Sequence, residues 1–150
     1  RGEGDEEPTP VDLSDILEDV AAGARRDGAD VTVGWQGDMT IELRPLAVKR
    51  CLTNLISNAL RHGKRAELLA VRRPAAVEIT VDDDGPGIPA DRHEDVFRAF
   101  FRLDESRNVD TGGVGLGLTI AHDIARSHGG DVTLGTSPLG GLRVVVRLPV

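Results

Sequence analysis

Residues 54–62 read NLISNALRH and lie within the longest segment of helical periodicity in the chain. That segment opens at Arg44-Pro45 and closes at Gly63, residue types that favour a helix start and a helix end. Its apolar residues recur every three or four positions, which predicts one buried face: Val48, Leu52, Leu55, Ile56 and Ala59. Asn54 and Asn58 are four residues apart and share a second face, pointing away from that stripe, which Arg61 continues.

On either side of this helix in the sequence, shorter segments with regular spacing of apolar residues predict the remaining helices and strands. Two more amphipathic helices are predicted, one from Asp12 or Ser14 to Gly28 and one from Gly115 to His128. A short helix that begins at Asp91 is predicted to carry the three phenylalanines, Phe97, Phe100 and Phe101. Strands are predicted at residues 31–33, 39–43, 67–72 and 77–81, followed by a terminal hairpin over residues 132–148. The first two strands are expected to pair through a turn at residues 36–38.

This order of elements favours an α/β (α+β) two-layer sandwich, with a mixed, largely antiparallel sheet covered on one face by helices. A doubly wound sheet is disfavoured because the repeating strand–helix–strand rhythm is missing. The first ten residues are rich in glycine, proline and acidic side chains, so we expect an acidic linker over residues 1–10 and a domain over residues 11–150. Because the chain begins with Arg1 rather than Met, we expect it to be part of a longer protein.

Composition excludes several functional classes. A chain of 150 residues suits one domain. With 18 basic and 25 acidic residues the net charge is −7, which argues against nucleic acid or an anionic membrane as the main partner. The single cysteine, Cys51, excludes an internal disulfide framework and a multi-cysteine metal site, and it is expected to be a small core residue.

Three motifs have residue types suited to binding a nucleotide, and each has a simpler explanation. Amide oxygens such as those of Asn54 and Asn58 are hard ligands suited to Mg²⁺, although two asparagines on a solvated helix face are often merely polar. The stretch Asp84-Gly85-Pro86-Gly87 follows a strand directly. Its carboxylate could accept a hydrogen bond from an exocyclic amine such as that of adenine, or the stretch is an ordinary acidic turn.

The third motif places four glycines in residues 112–117, ahead of a predicted helix. Bare N–H groups at a helix N-terminus form an anion site, and the alternative is a flexible hinge. Gly117 and Thr119 fit part of the P-loop spacing, but Leu118 stands where that motif requires lysine. Within the long polar loop before the glycines, Arg102 and Arg107 could reach a terminal phosphate as the loop closes.

Taken in order, these elements resemble the catalytic ATP-binding domain of bacterial sensor histidine kinases of the osmosensor type, in the superfamily shared with gyrase and heat-shock-chaperone ATPases. Residues 54–62 resemble the N box, residues 84–89 the first glycine box, residues 97–100 the F box and residues 113–118 the second glycine box. Residues 101–107 are similar to the start of the ATP lid. The resemblance implies a Bergerat-type ATP fold with a mobile lid.

The resemblance also implies roles for single residues. Asn58 would hold Mg²⁺, Asp84 would bind the adenine amine, and Asn54 and Asn58 would be the catalytic residues. The remaining ATP-binding positions would be Asn54, Arg61, His62, Gly85, Gly87, Ile88, Arg102, Arg107, Gly113, Val114, Gly115, Leu116, Gly117, Leu118 and Thr119. Asn54 occupies the place where hydrolysing relatives carry a glutamate base, which favours phosphoryl transfer over hydrolysis. Leu142 replaces the Thr or Ser of many relatives, so an adenine contact through that hydroxyl is not expected.

The implied function is to bind Mg-ATP and to deliver its γ-phosphate to a histidine on a separate helical-hairpin domain, in two-component signalling. The implied partners are that phosphoacceptor domain and a response regulator, and not nucleic acid. A homodimer is expected for the whole protein, which would be an inner-membrane sensor with this domain in the cytoplasm, and a monomer is expected for this piece. Two alternatives remain: an ATPase or anti-sigma-type serine kinase of the same fold, and an interaction module that has lost nucleotide binding.

Overall fold

The structure, a computed structural model, describes residues 6–87 and 114–150. In these ranges the chain forms, in order, β1 (Thr9–Asp12), α1 (Leu13–Arg26), β2 (Asp30–Gln36), β3 (Thr40–Leu43), α2 (Pro45–His62), β4 (Arg65–Arg72), β5 (Ala76–Asp83), α3 (Val114–Ser127), β6 (Asp131–Thr136) and β7 (Leu142–Pro149). The predicted helices and strands of these ranges are therefore present, with ends shifted by a few residues. The predicted short helix that carries the three phenylalanines lies outside the described residues.

The main sheet has five strands in the order β2-β4-β5-β7-β6. Only the β2–β4 pair is parallel, and the other three pairs are antiparallel. A separate two-stranded ribbon joins β1 and β3 in antiparallel fashion. The predicted mixed, largely antiparallel sheet is confirmed, but the predicted pairing of residues 31–33 with residues 39–43 is wrong.

The turn between β2 and β3 explains why these strands do not pair. Gly37 has a φ of 90°, and the Asp38 carboxylate accepts a hydrogen bond from the Thr40 N–H at 3.0 Å. The Arg72 guanidinium at the end of β4 donates to the carbonyls of Asp38 and Thr40, each at 3.1 Å. This contact fixes the turn against β4, so β2 pairs with β4 and β3 pairs with β1.

Side chains of the sheet alternate between a face covered by the helices and an open face, as strand geometry requires. In β7 the apolar residues Val144, Val146 and Leu148 are buried, whereas Arg147 is exposed. The predicted alternation of the terminal hairpin is therefore confirmed. None of the helices in the two described ranges is long and apolar enough to cross a membrane.

Helices α2 and α3 pack against each other in antiparallel directions. Cys51, in the middle of α2, lies with its Sγ 4.0 Å from the Ala121 carbonyl oxygen of α3. Burial raises the pKa of the Cys51 thiol to about 12, so this cysteine is an inert core residue, as predicted. Small residues at these positions let the two helix backbones approach closely.

The folded part of the chain begins at a lower residue number than the sequence predicted. The Glu6 carboxylate accepts hydrogen bonds from the N–H groups of Leu46 at 2.8 Å and Ala47 at 3.1 Å. It therefore caps α2, whose N-cap residue Arg44 provides no side-chain cap. Thr9 and Pro10 belong to β1. Residues 6–10 are therefore part of the fold, whereas the sequence predicted a solvated linker up to residue 10 and a fold that starts near Val11.

Glu6→Ala is therefore expected to lower the free energy of unfolding by about 1 kcal/mol, the usual effect of losing a helix cap. Glu7→Ala is the matched control because Glu7 is exposed and has the same charge. Urea unfolding of both variants measures the difference. Equal stability of the two variants would contradict a capping role for Glu6.

Candidate functional site

Three consecutive aspartates end β5, and each points in a different direction. Asp82 lies on the open face of the sheet, yet it is only 5% exposed. Its carboxylate forms a bidentate ion pair with Arg143 of β7, at 2.8 Å to Nε and 2.9 Å to Nη2. This pair joins neighbouring strands and raises the pKa of Arg143, chiefly through the hydrogen bond to Asp82.

Asp83 lies on the inner face, next to the helices, and is also 5% exposed. Its Oδ1 accepts hydrogen bonds from the N–H groups of Gly85 at 2.9 Å and Leu142 at 3.1 Å. Its carbonyl accepts from the Gly141 N–H at 3.1 Å. A Cβ at Gly141 would overlap Asp83 Oδ1 and lie 2.6 Å from the Gly85 nitrogen, so this tight connection between β5 and β7 requires glycine.

Asp84, the carboxylate that the sequence singled out, is exposed. Its Oδ1 accepts hydrogen bonds from the N–H groups of Lys64 at 2.8 Å and Arg65 at 3.0 Å. The Lys64 bond and then the Arg65 bond lower the pKa of Asp84. Asp84 therefore fastens the turn after α2 to the end of β5, on the solvent side.

Sequence reasoning passed over Asp83 in favour of its neighbour. The alternation of Val77, Ile79 and Val81, all buried, continues to Asp83 and identifies it as the inward-facing member of the acidic run. This alternation is visible in the sequence and could have been used to predict that the Asp83 side chain faces the helices. Two carboxylates at one strand end thus have different environments, one against the helices and one in solvent.

Asn58 occupies the last turns of α2 and is only 6% exposed. Its Oδ1 is buried and has no hydrogen-bond partner among the residues that the structure describes. A buried amide oxygen without a partner is unfavourable by itself and is available to a bound group. The alternative that the two asparagines lie on a solvated helix face is not supported, since Asn58 is buried and Asn54 is half-buried.

The N-terminal turn of α3 covers this face of α2. A Cβ at Gly117 would lie 3.5 Å from the Asn54 carbonyl oxygen and 3.7 Å from Asn58 Cβ, so the helices meet closely here. Leu118 and Thr119 beside it are buried at 0% and 3% exposure. Gly117 of the predicted glycine motif is thus brought against the two predicted asparagines, about sixty residues away in sequence, at the positive end of a helix.

Gly85 and Gly87 form the turn after β5, where Gly87 has a φ of 73° and packs on Gly141. Arg61 is exposed in the last turn of α2. The side chains of His62, Val114 and Leu116 are not described, although these residues and Gly115 belong to helices. The remaining predicted site residues lie outside the described ranges, as does the predicted lid: Ile88, Arg102, Arg107 and Gly113.

The donor set limits which ion the site can hold. Within the described ranges, no group of three or more His, Cys, Asp or Glu side chains is arranged to hold a metal. A metal here would bind through the single amide oxygen of Asn58 and take its other ligands from water and from a bound molecule. Mg²⁺ commonly binds in this way, with few protein ligands and with water and phosphate oxygens completing its coordination shell.

Comparison with known proteins gives consistent matches. Residues 43–150 match the family model described as histidine kinase-, DNA gyrase B- and HSP90-like ATPase. The chain is 45% identical over 139 residues to the sensor histidine kinase GtrS of Pseudomonas aeruginosa, covering 93% of this chain and 28% of that protein. The chain therefore spans less than a third of the length of this curated relative.

Two solved structures are similar in fold. The ATP-binding domain of PrrB from Mycobacterium tuberculosis superposes with a TM-score of 0.78 at 34% identity, covering 96% of this chain and 98% of that one. The histidine kinase domain of the Escherichia coli osmosensor EnvZ superposes with a TM-score of 0.70 at 32% identity, covering 96% and 88%. The predicted Bergerat-type architecture is confirmed for the described residues.

The environment of Asp84 predicts an acid-dependent loss of stability. Because its pKa is lowered in the fold, the stability it contributes is present above the ordinary carboxyl value and is lost as the pH falls through the lowered value. Asp84→Asn keeps an acceptor oxygen for Lys64 and Arg65 but does not titrate. Urea unfolding at neutral and at acid pH is expected to show a smaller acid-induced loss for the variant, and an identical loss would contradict this account.

Proposed function

Because the chain belongs to the histidine kinase-, DNA gyrase B- and HSP90-like ATPase family, we propose that it is the catalytic ATP-binding domain of a sensor histidine kinase. It binds Mg-ATP and presents the γ-phosphate to a histidine on a separate domain. One observation carries this proposal: Asn58, whose buried Oδ1 has no hydrogen-bond partner among the described residues, packs beside Gly117 in the first turn of α3.

The residues at this point fit a magnesium-bound triphosphate. Asn58 would supply the protein ligand to Mg²⁺, which neutralises phosphate charge when it is bound. The first-turn N–H groups of α3 have no partners within their helix, and Gly117 in that turn packs beside Asn58, so these groups suit phosphate oxygens. We extend the phosphate-binding set to Asn54, Arg61, His62, Arg102, Arg107, Gly113, Val114, Gly115, Leu116, Gly117, Leu118 and Thr119 on the resemblance alone.

For the adenine amine we propose Asp83 in place of Asp84. Asp83 faces the helix layer, whereas Asp84 is exposed and engaged with the turn after α2. The hydrogen bonds that described residues make to the Asp83 side chain both go to Oδ1. The second carboxylate oxygen is then the acceptor for the exocyclic amine, with Gly85, Gly87 and Ile88 along the edge of the ring.

The amide side chain of Asn54 favours phosphoryl transfer over hydrolysis of ATP. An amide cannot take a proton from water at neutral pH, so the site has no general base at the position where hydrolysing members carry a glutamate. In phosphoryl transfer the protein mainly aligns the groups and stabilises charge, and this domain supplies both functions. The acceptor histidine then belongs to another part of the protein.

The remaining proposals concern that larger protein. Curated relatives such as GtrS and CpxA are more than three times as long as the matched region and are named sensor histidine kinases. We propose a helical-hairpin phosphoacceptor domain in the same protein, a response regulator as the next acceptor, and a homodimeric sensor whose catalytic domain is cytoplasmic. The domain itself comprises residues 11–150 together with the Glu6–Pro10 segment that packs on α2.

The direct test is calorimetric titration of the chain with ATP, with and without Mg²⁺. Wild type is expected to bind Mg-ATP with negligible turnover. Asn58→Ala is expected to weaken Mg-ATP binding more than about tenfold, because it removes the metal ligand, while ligand-free stability is retained because an unpaired buried oxygen is also removed. Thr53→Ala, at an exposed position on the same helix, is the matched control.

Each outcome of this titration decides between functions. Unchanged magnesium dependence in Asn58→Ala would contradict the metal role of Asn58. Steady ATP hydrolysis by the chain alone would favour a same-fold ATPase, and absence of ATP binding by the wild type would favour an interaction module. Transfer of phosphate to a histidine-bearing hairpin from a sensor kinase would support the kinase proposal.

Asp83 and Asp84 form a matched pair for the base-binding role. Asp83→Asn keeps an Oδ1 acceptor for Gly85 and Leu142, so the fold is retained, but it places an amide where a carboxylate should receive the adenine amine. We expect Asp83→Asn to lose the preference for ATP over GTP and Asp84→Asn to retain it, as measured by competition titration. The opposite result would return the adenine role to Asp84.

A further inference from the structure

His128 directly follows α3 and bridges it to the start of α2. Its Nε2 accepts a hydrogen bond from the Arg44 N–H at 3.1 Å, and its Nδ1 lies 2.8 Å from the Ile124 carbonyl oxygen. A backbone N–H can only donate and a carbonyl can only accept. These two contacts therefore require a neutral imidazole with its hydrogen on Nδ1.

This bridge is the far end of a continuous line of contacts between α2 and α3. From His128 and Arg44, the line passes through Cys51 and Ala121 in the middle of the helices. It ends at Gly117, which packs beside Asn58. Because packed helices move as rigid bodies, a shift of α3 along α2 at the His128 end is carried to the glycine turn.

Each of the three segments that meet at this bridge carries a charged group. The Arg44 guanidinium at the start of α2 donates to the Ser127 carbonyl at 3.1 Å and to the Glu6 carbonyl at 2.9 Å. The Glu6 carboxylate of the N-terminal segment is occupied by the first turn of α2. Arg126, exposed in the last turn of α3, is the basic group on the histidine's own helix.

Protonation of His128 has opposing effects. The negative end of the α3 dipole favours an imidazolium. Against this, a protonated Nε2 would direct its own N–H at the Arg44 N–H and place a second positive charge near the Arg44 guanidinium. Losing the acceptor of a half-buried N–H and adding this repulsion outweighs a terminal dipole interaction, so the bridge opens when the imidazole is charged.

We propose that neutral His128 is a positioning residue that fixes α3 against α2 and thereby sets the approach of the Gly117 turn to Asn58. Protonating it weakens Mg-ATP binding from the opposite end of the helix pair. The inference rests on the nucleotide site proposed above, and it adds a residue that touches neither the nucleotide nor the metal.

His128→Gln tests this because the Gln amide oxygen accepts the Arg44 N–H at every pH. Mg-ATP affinity is measured for both proteins at about pH 8 and at about pH 5.5. Wild type is expected to lose about fivefold more affinity than His128→Gln on acidification. Protonation of the ATP phosphates and of the other histidines affects both proteins and cancels in the comparison.

His122→Gln is the matched control, since it removes a histidine from the same helix and is expected to keep the wild-type pH step. Equal pH profiles for wild type and His128→Gln would overturn the proposal. It would also be overturned if His128→Gln bound Mg-ATP more weakly than wild type by the same factor at both pH values. If wild type binds no Mg-ATP at either pH, the proposed function itself fails, and this inference fails with it.

A second measurement needs no variant. Nitrogen NMR of the wild-type histidines is expected to show the Nδ1–H form of His128 at neutral pH, and the Gly117 amide signal is expected to change on acidification together with the His128 nitrogen signals. A Gly117 signal that stays constant while the His128 signals change would overturn the proposal even if the variant fails to fold.

Discussion

The end of β5 is where the two layers of this domain are joined, and three carboxylates hold it. Asp82 pairs with Arg143 across the sheet, Asp83 accepts N–H groups from the two segments that flank it, and Asp84 accepts N–H groups from the turn after α2. Because β5 is the central strand of the five, every other element is placed relative to this point. The inward carboxylate, Asp83, is thereby held in place by backbone N–H groups from two segments.

Close approach of α2 and α3 is the second requirement, and it places a polar group under strain. Packing Gly117 against Asn58 buries the Asn58 amide oxygen without a partner among the described residues, which is unfavourable for folding. The surrounding apolar core compensates for this loss. Stability given up at one buried oxygen is the usual price of a preformed binding site.

Local patterns in the sequence predicted local structure well. The apolar stripe from Val48 to Ala59 fixed α2, and the alternation in β7 fixed the terminal hairpin, because both depend only on periodicity. Two failures involved partners distant in sequence. The pairing of β2 depends on β4 and on Arg72, and the early start of the fold depends on Glu6 reaching the amides of α2. Nothing in either segment alone indicates those partners.

The residues of the candidate site differ in how visible they are in the sequence. Asn58 and Gly117 stand out because a helical face and a glycine run can be seen in the chain. Asp84 was preferred to Asp83 because the glycine that follows it drew attention to the turn rather than to the strand. His128 was not singled out, since its role exists only where the ends of two helices meet.

The contact of Glu6 with α2 determines where tension on the chain would act. Glu6 binds the N–H groups of Leu46 and Ala47, and Asn58 lies eleven or twelve residues further along α2, so this contact is about 17 Å from the proposed magnesium ligand. Any pull on the chain ahead of Glu6 would therefore act on the first turn of α2, at the end of this helix that lies away from Asn58.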